Sequence, residues 1–217
     1  MAKKNYVEKK FSCVREGLTI RGLLFEPVNG RENAEGKWPV AIVSHMFMVN
    51  YKLVEKYARF LAEQGYLAVC YDFNGGGLFS KSDGKSVDMS VLTEVKDLEA
   101  VIEAVLKHEK ADASRLMLMA KFDPQNIPEK IKCGFMKLGR CYVTDVIEMD
   151  AFREIAAYEG PVLILHGTAD NAVDCANSKK AAEIYKNVRL ELIEGAGHGF
   201  LKENGVRAME LLKSFVN

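Results

Sequence analysis

Hydrophobic and polar residues alternate from Val7 to Cys13. Val7, Phe11 and Cys13 fall on one side, and Glu8, Lys10 and Ser12 on the other. A period of two predicts a strand with one covered face. Arg15-Glu16-Gly17 interrupts it, and Leu18 to Phe25 predicts a second strand. So short a connection forces the pair to be antiparallel. The pattern then changes. Val40-Ala41-Ile42-Val43 is an unbroken apolar run, as expected of a strand covered on both faces. Tyr51 to Ala62 has helical spacing, with Val54, Tyr57, Ala58 and Leu61 on one stripe, and Leu67 to Tyr71 predicts the next buried strand.

Ser90 has the chemistry of an N-cap for a long helix carrying Val91, Val95, Leu98, Ile102 and Val105. Leu116 to Met119 reads as a further strand. From Lys121 to Asp150 regularity is lost: a turn opens at Asn126-Ile127-Pro128, and Lys132 to Val146 alternates weakly around Gly134 and Gly139. Periodicity then resumes in a helix near Phe152 to Tyr158, a strand Val162 to Leu165, a helix Ala176 to Tyr185 and a strand Arg189 to Ile193. A closing helix runs through Val206, Met209, Leu212 and Phe215. Strands alternating with helices predict an α/β fold, a mostly parallel sheet with helices on both faces, led in by an antiparallel hairpin. With no linker, repeat or low-complexity tract, residues 1–217 are expected to form one domain, with 121–150 a lid-like insertion in it.

Composition narrows the classes of partner. A chain of 217 residues with 48% hydrophobic content suits a globular domain with a sizeable core. Its 30 basic and 30 acidic residues leave no net charge, so no field of one sign draws it to nucleic acid or an anionic membrane. The start, Met1-Ala2-Lys3-Lys4-Asn5, lacks the apolar stretch of a signal peptide, and no run approaches the length of a membrane span. Five scattered cysteines, never in a Cys-x-x-Cys pair, fit reduced thiols and a cytoplasmic location. Cys133 and Cys141 could meet across a hairpin, but a structural disulfide is not expected there.

The chemistry gathers near the carboxyl terminus. His166-Gly167-Thr168-Ala169-Asp170 follows one buried strand, and Gly195-Ala196-Gly197-His198-Gly199-Phe200 follows the next. Successive parallel strands present their carboxyl ends along one edge, where ligands of open α/β sheets bind. Glycines around His198 allow a tight turn that brings the imidazole inward. An acid followed by a histidine on adjacent strand ends supplies two members of a nucleophilic triad, Asp170 to orient and His198 to move the proton. The plainer alternative makes Asp170 a helix cap and His198 a loop residue.

The chain resembles the α/β-hydrolases, and among them the small bacterial cinnamoyl or feruloyl esterases. The resemblance is carried by Val43-Ser44-His45-Met46-Phe47, by Tyr71-Asp72-Phe73-Asn74-Gly75 with Ser82-Asp83-Gly84-Lys85, and by Met89 to Glu94. Ile164-Leu165-His166-Gly167-Thr168 and Leu192-Ile193-Glu194-Gly195-Ala196 complete it. It implies ester hydrolysis on a small-molecule ester or aromatic acid, with Asp170 and His198 in the triad, the backbone N–H of Phe47 in the oxyanion hole, and no cofactor or metal.

Two departures qualify that implication. Such enzymes place the nucleophile in Gly-x-Ser-x-Gly, on a strained turn after the strand matching Leu116 to Met119. No such motif occurs in this chain. Met119-Ala120 runs straight into Lys121 to Pro128, which looks like the family's lid entry, as though a βα unit of about 30 residues or more were missing after Ala120. The oxyanion loop, His-Gly-Phe-x-Gly in the family, reads His45-Met46-Phe47-Met48-Val49 here. Loss of an oxyanion donor typically costs about 100-fold or more in rate.

Substitute nucleophiles are poor. Ser44, at a strand end, is expected to be a hydrogen-bonded structural residue, and Cys70 a packed one. Gly84-Lys85-Ser86 lacks the earlier glycine of a phosphate-binding loop. His45, His108, His166 and His198 have no metal-ligand spacing. His108 is expected at a solvated helix end and His166 packed at a strand end. Three readings follow: an impaired or inactive esterase-fold protein that binds a small molecule, a working ester hydrolase with an unusual nucleophile or activated water, and an assembly protein. The apolar segment Lys132 to Val146, with Phe135, Met136, Leu138, Tyr142 and Val143, suits packing over the break or a homodimer.

Overall fold

The computed structural model describes residues 5–46, 49–77, 79–120, 132–133, 136–137 and 150–217. These fall into two compact units, one running to Ala120 with the short strands that follow it, the other from Asp150 to the carboxyl end.

In the first unit, β1 (Tyr6–Arg15) and β2 (Leu18–Pro27) form the expected hairpin, paired antiparallel from Tyr6↔Pro27 to Arg15↔Leu18. β3 (Trp38–Ser44), β4 (Leu67–Asp72) and β5 (Ala111–Ala120) follow, and the sheet is ordered β1-β2-β4-β3-β5. β2 meets β4 antiparallel, whereas β4, β3 and β5 are parallel neighbours. The sheet is therefore mixed. Helix α1 (Glu55–Glu63) links β3 to β4, and α2 (Val91–Leu106) links β4 to β5. Every residue of β3 and β4 is buried, as the unbroken apolar runs require.

Alternation along those strands builds one main core. Val40, Ile42, Leu67, Val69 and Tyr71 pack with Val101 and Val105 of α2. Ser90 caps α2 as expected: its hydroxyl accepts from Thr93 N while the Thr93 hydroxyl accepts from Ser90 N. The stripe that α2 buries differs from the apolar pattern. Val91, Asp97, Val101 and Val105 are buried, and Val95 is exposed. The face is set by Asp97, which accepts from Arg15 Nε at 2.6 Å, Asn74 N at 2.7 Å and Asn74 Nδ2 at 2.9 Å. A buried carboxylate cannot be seen in a hydropathy pattern.

Strand β5 begins five residues earlier than its apolar run. Its pairing with β3 shifts between Pro39 and Val40, so that Asp112 lies opposite Pro39 while Leu116 lies opposite Val40. Asp112 ties down this irregularity, accepting from Ser114 N at 3.0 Å, Ser114 Oγ at 2.6 Å, Arg115 Nε at 2.6 Å and Asn33 Nδ2 at 2.9 Å. These donors hold its carboxyl down at about 2. His108 lies at the end of α2 as expected but is half-buried rather than solvated: Nε2 lies 3.1 Å from Glu26 Oε1, and the ring stacks on Trp38.

After Ala120 the described backbone consists of β6 (Lys132–Cys133) paired antiparallel with β7 (Met136–Lys137). The rest of the lid-like insertion up to Asp150, with the Cys133–Cys141 question and the apolar side chains offered for a homodimer, lies outside the described residues, as does the chain just after Ala120 where the sequence puts the missing βα unit.

The second unit holds α3 (Ala151–Ile155), β8 (Val162–Gly167), α4 (Cys175–Ile184), β9 (Val188–Ile193) and α5 (Glu203–Val216). β8 and β9 run parallel, in register from Val162↔Val188 to Gly167↔Ile193. Ile193, Ala196, Ala208 and Leu211 form its core, with Leu165 and Phe200 packed against them. In α5 the buried face is Ala208, Leu211, Leu212 and Val216, while Val206 is exposed. Among the described residues, no helix is long and apolar enough to cross a membrane.

Candidate active site

Parallel pairing brings the carboxyl ends of β8 and β9 side by side, and the loops that leave them are laced together. Thr168 N donates to Ile193 O at 3.1 Å, and Ala169 N to Ala196 O at 3.0 Å. Gly195 N donates to Thr168 Oγ1 at 2.9 Å. The approach is so close that a Cβ on Gly167 would lie 2.1 Å from Ala196 O. Only glycine fits there.

Asp170 sits in the first of these loops with its carboxylate 7% exposed. Oδ1 accepts from Ala172 N at 2.9 Å and from Val173 N at 3.0 Å, a turn that fixes the side chain on its own backbone. Oδ2 is then presented to His198, whose Nδ1 lies 2.9 Å away. A carboxylate only accepts, so Nδ1 carries the hydrogen. The other ring nitrogen, Nε2, is left as the basic one in the neutral imidazole. Burial would raise the Asp170 carboxyl, but the His198 bond and the amides of Val173 and Ala172 outweigh it and hold the group below the ordinary carboxylate range. The helix cap considered for Asp170 is supplied by Asp174, which accepts from Ala176 N at 2.8 Å.

His198 is followed by a backbone that ordinary residues avoid. Phe200 has φ of 44° and Lys202 φ of 53°. Phe200 is partly buried against Ile193, Ala196, Ala208 and Leu211, so packing enforces the turn. Gly205 completes it, since a Cβ there would meet Phe200 O at 2.7 Å. Sequence reasoning found Asp170 and His198 but gave Phe200 no structural task.

The first unit shows the candidates at the end of β3. Ser44 Oγ and Tyr71 OH share a buried hydrogen bond of 2.9 Å, the structural role expected of this serine. His45 is buried, donating from Nδ1 to Met46 O at 2.7 Å and accepting at Nε2 from Phe73 N at 3.3 Å. Burial lowers its pKa. The ring is therefore neutral, and its 3.8 Å approach to Asp72 is not an ion pair. Asp72 instead accepts from Tyr51 N and Lys81 N, both at 2.7 Å. Cys70 is buried and its thiol is pushed up by burial, as a packing residue requires. Phe47, the oxyanion candidate, lies outside the described residues. Among the described residues no group of three or more His, Cys, Asp or Glu side chains could hold a metal ion.

The chain is similar in structure to Est1E from Butyrivibrio proteoclasticus with bound ferulic acid, at a TM-score of 0.79 and 21% identity, over 95% of this chain and 97% of that one. It is also similar to an alpha-beta serine hydrolase homologue from Coxiella burnetii, at a TM-score of 0.65 and 20% identity, over 95% of this chain and 96% of that one. A third likeness is to a putative dienelactone hydrolase from Klebsiella pneumoniae subsp. pneumoniae, at a TM-score of 0.67 and 17% identity, over 97% of this chain and 98% of that one. No protein-family model and no curated protein sequence matches the chain.

Proposed function

We propose that this chain, which has the α/β-hydrolase fold, binds a small carboxylic ester or aromatic acid and works without an acyl-enzyme. The single observation that carries the reading is the contact of His198 Nδ1 with Asp170 Oδ2 at 2.9 Å. An oriented imidazole with a free Nε2 lone pair is the proton-accepting half of ester hydrolysis. The bond-making half, a serine in Gly-x-Ser-x-Gly, is absent from the sequence. What hydrolysis the protein performs is then general-base hydrolysis: Nε2 takes a proton from a water whose oxygen bonds to the ester carbonyl carbon, and Asp170 steadies the imidazolium. Collapse of the tetrahedral adduct breaks the acyl C–O bond, and the imidazolium returns the proton to the departing alcohol oxygen. Aromatic acids are the ligand class favoured, because the structurally similar Est1E is seen with ferulic acid bound.

Intact-mass analysis after incubation with a fluorophosphonate tests the catalytic part. The expected result is no adduct that depends on His198. A stoichiometric adduct, abolished in His198→Ala, would restore a covalent nucleophile and overturn the proposal. Calorimetric titration with ferulic acid tests the binding part, where saturable heat is expected and none would remove this ligand class.

A further inference from the structure

His166 stands at the carboxyl end of β8, and general-base hydrolysis at His198 gives it no task. Its side chain is 8% exposed, yet both ring nitrogens are engaged. Nε2 lies 3.1 Å from Val173 O, and a carbonyl can only accept, so Nε2 carries the hydrogen. In the neutral ring Nδ1 is then a lone pair, to which the Ser178 hydroxyl on α4, 2.6 Å away, can donate. That ring is held from both sides by two partners of different kind.

Val173 joins this ring to the Asp170–His198 pair. Its amide is one of the two donors on Asp170 Oδ1, at 3.0 Å, and its carbonyl is the acceptor that His166 holds. His166 Nε2 also lies 3.6 Å from Asp170 Oδ2, beyond hydrogen-bond length but beside the oxygen that receives His198. Losing the Ser178 hydroxyl leaves the His166 ring held by Val173 alone, free to turn about its side-chain torsions. A ring that turns withdraws its Nε2 hydrogen from the Val173 carbonyl, and the 170–173 turn would shift.

We infer that Ser178 and His166 are positioning residues for the Asp170–His198 pair. The Val173 carbonyl selects the His166 tautomer, Ser178 holds the ring from its other nitrogen, and the Val173 amide fixes the carboxylate rotamer that offers Oδ2 to His198. This outer layer has the form of the hydrogen-bonded partners that orient ligating or reacting histidines elsewhere. The inference takes only the contact between the two side chains and does not require that any ester be turned over.

Imidazole NMR of the full chain labelled with 15N-histidine tests it. In the wild type, His166 is expected as the Nε2–H tautomer, and His198 to show a downfield Nδ1 proton. In Ser178→Ala, the His166 Nε2 proton is expected to exchange faster with water, and the His198 Nδ1 proton to move upfield and exchange faster as well. Ser178→Thr, which keeps a hydroxyl, should retain both wild-type signatures. A folded Ser178→Ala protein whose His198 signal is unchanged would overturn the inference. So would a wild-type His166 that carries its hydrogen on Nδ1, a measurement for which no variant has to fold. Because the rings are observed without substrate, failure here is distinct from failure of the hydrolytic reading.

Discussion

Asp170 spans its own loop and the neighbouring one: Oδ1 is held by the amides of Ala172 and Val173, and His198 Nδ1 approaches both oxygens, Oδ2 at 2.9 Å and Oδ1 at 3.2 Å. Asp170→Asn keeps the shape and removes the charge. The His198-dependent part of aryl-ester hydrolysis, measured against His198→Ala as background, is expected to fall by about 100-fold or more, the usual worth of a positioned base. An unchanged rate would separate Asp170 from the chemistry. Asp170→Ala also deletes charged hydrogen bonds, at about 1.5–3 kcal/mol of stability each.

Gly167→Ala tests how tightly the two site loops are held. The added Cβ would lie 2.1 Å from Ala196 O and 2.6 Å from Ala196 C, both backbone atoms that cannot swing away. A loss of about 3 kcal/mol or more is expected in urea unfolding, together with loss of the His198–Asp170 contact. A variant of wild-type stability would mean that the loops sit farther apart than the structure has them.

Asp97 is the charged anchor of the first unit. Arg15 and Asn74 surround it, and Asn74 Oδ1 itself has no hydrogen-bond partner among the described residues. Asp97→Ala would unpair Nε of a guanidinium that is 12% exposed, leaving it Glu16 alone as an ion-pair partner among the described residues, and would strand two donors of Asn74. Breaking a buried pair from one side typically costs about 3–5 kcal/mol, and thermal unfolding should register a loss of that order.

Glu94 makes the pH dependence of that region run opposite to the usual carboxylate. Burial, with a smaller contribution from Asp97, raises it to about 7. The unfolded chain releases this proton near an ordinary glutamate value of about 4.3, so the folded state loses ground as pH rises from there to about 7. Glu94→Gln is therefore expected to raise Tm at pH 8 and to change it little at pH 4. Equal effects at both pH values would contradict the shift.

Asp112 behaves in the ordinary sense. Its carboxyl is held at about 2 by Ser114 and Arg115, against about 3.9 in an unfolded chain. Its contribution is present above about pH 4 and disappears as pH falls towards 2. The stability gap between wild type and Asp112→Asn should shrink across that window, and a constant gap would remove the assignment.

Much of this was readable along the chain because the signals are local. The alternation of Val7 to Cys13 marks a half-covered strand, the run Val40 to Val43 a buried one, and Ser90 the start of α2. The order acid then histidine placed Asp170 and His198 after adjacent strands, and the parallel register of β8 and β9 brings them together. The first half of β5 stayed hidden because Asp112 to Arg115 are mostly polar and their order depends on a bulge against β3. Val95 and Val206 read as buried and are exposed, since helix rotation is set by what lies opposite.

The sequence by itself determined the alternation of elements, the antiparallel lead-in, and the absence of a Gly-x-Ser-x-Gly motif, all properties of neighbouring residues or of composition. The tertiary structure alone decided which Asp170 oxygen faces His198, which nitrogens of His45 and His166 carry hydrogen, and that Val173 and Ser178 belong to the same network. The reason is range. A side-chain period is written into consecutive residues, whereas a hydrogen-bond partner is chosen by atoms that folding brings within about 3 Å, whatever their separation along the chain.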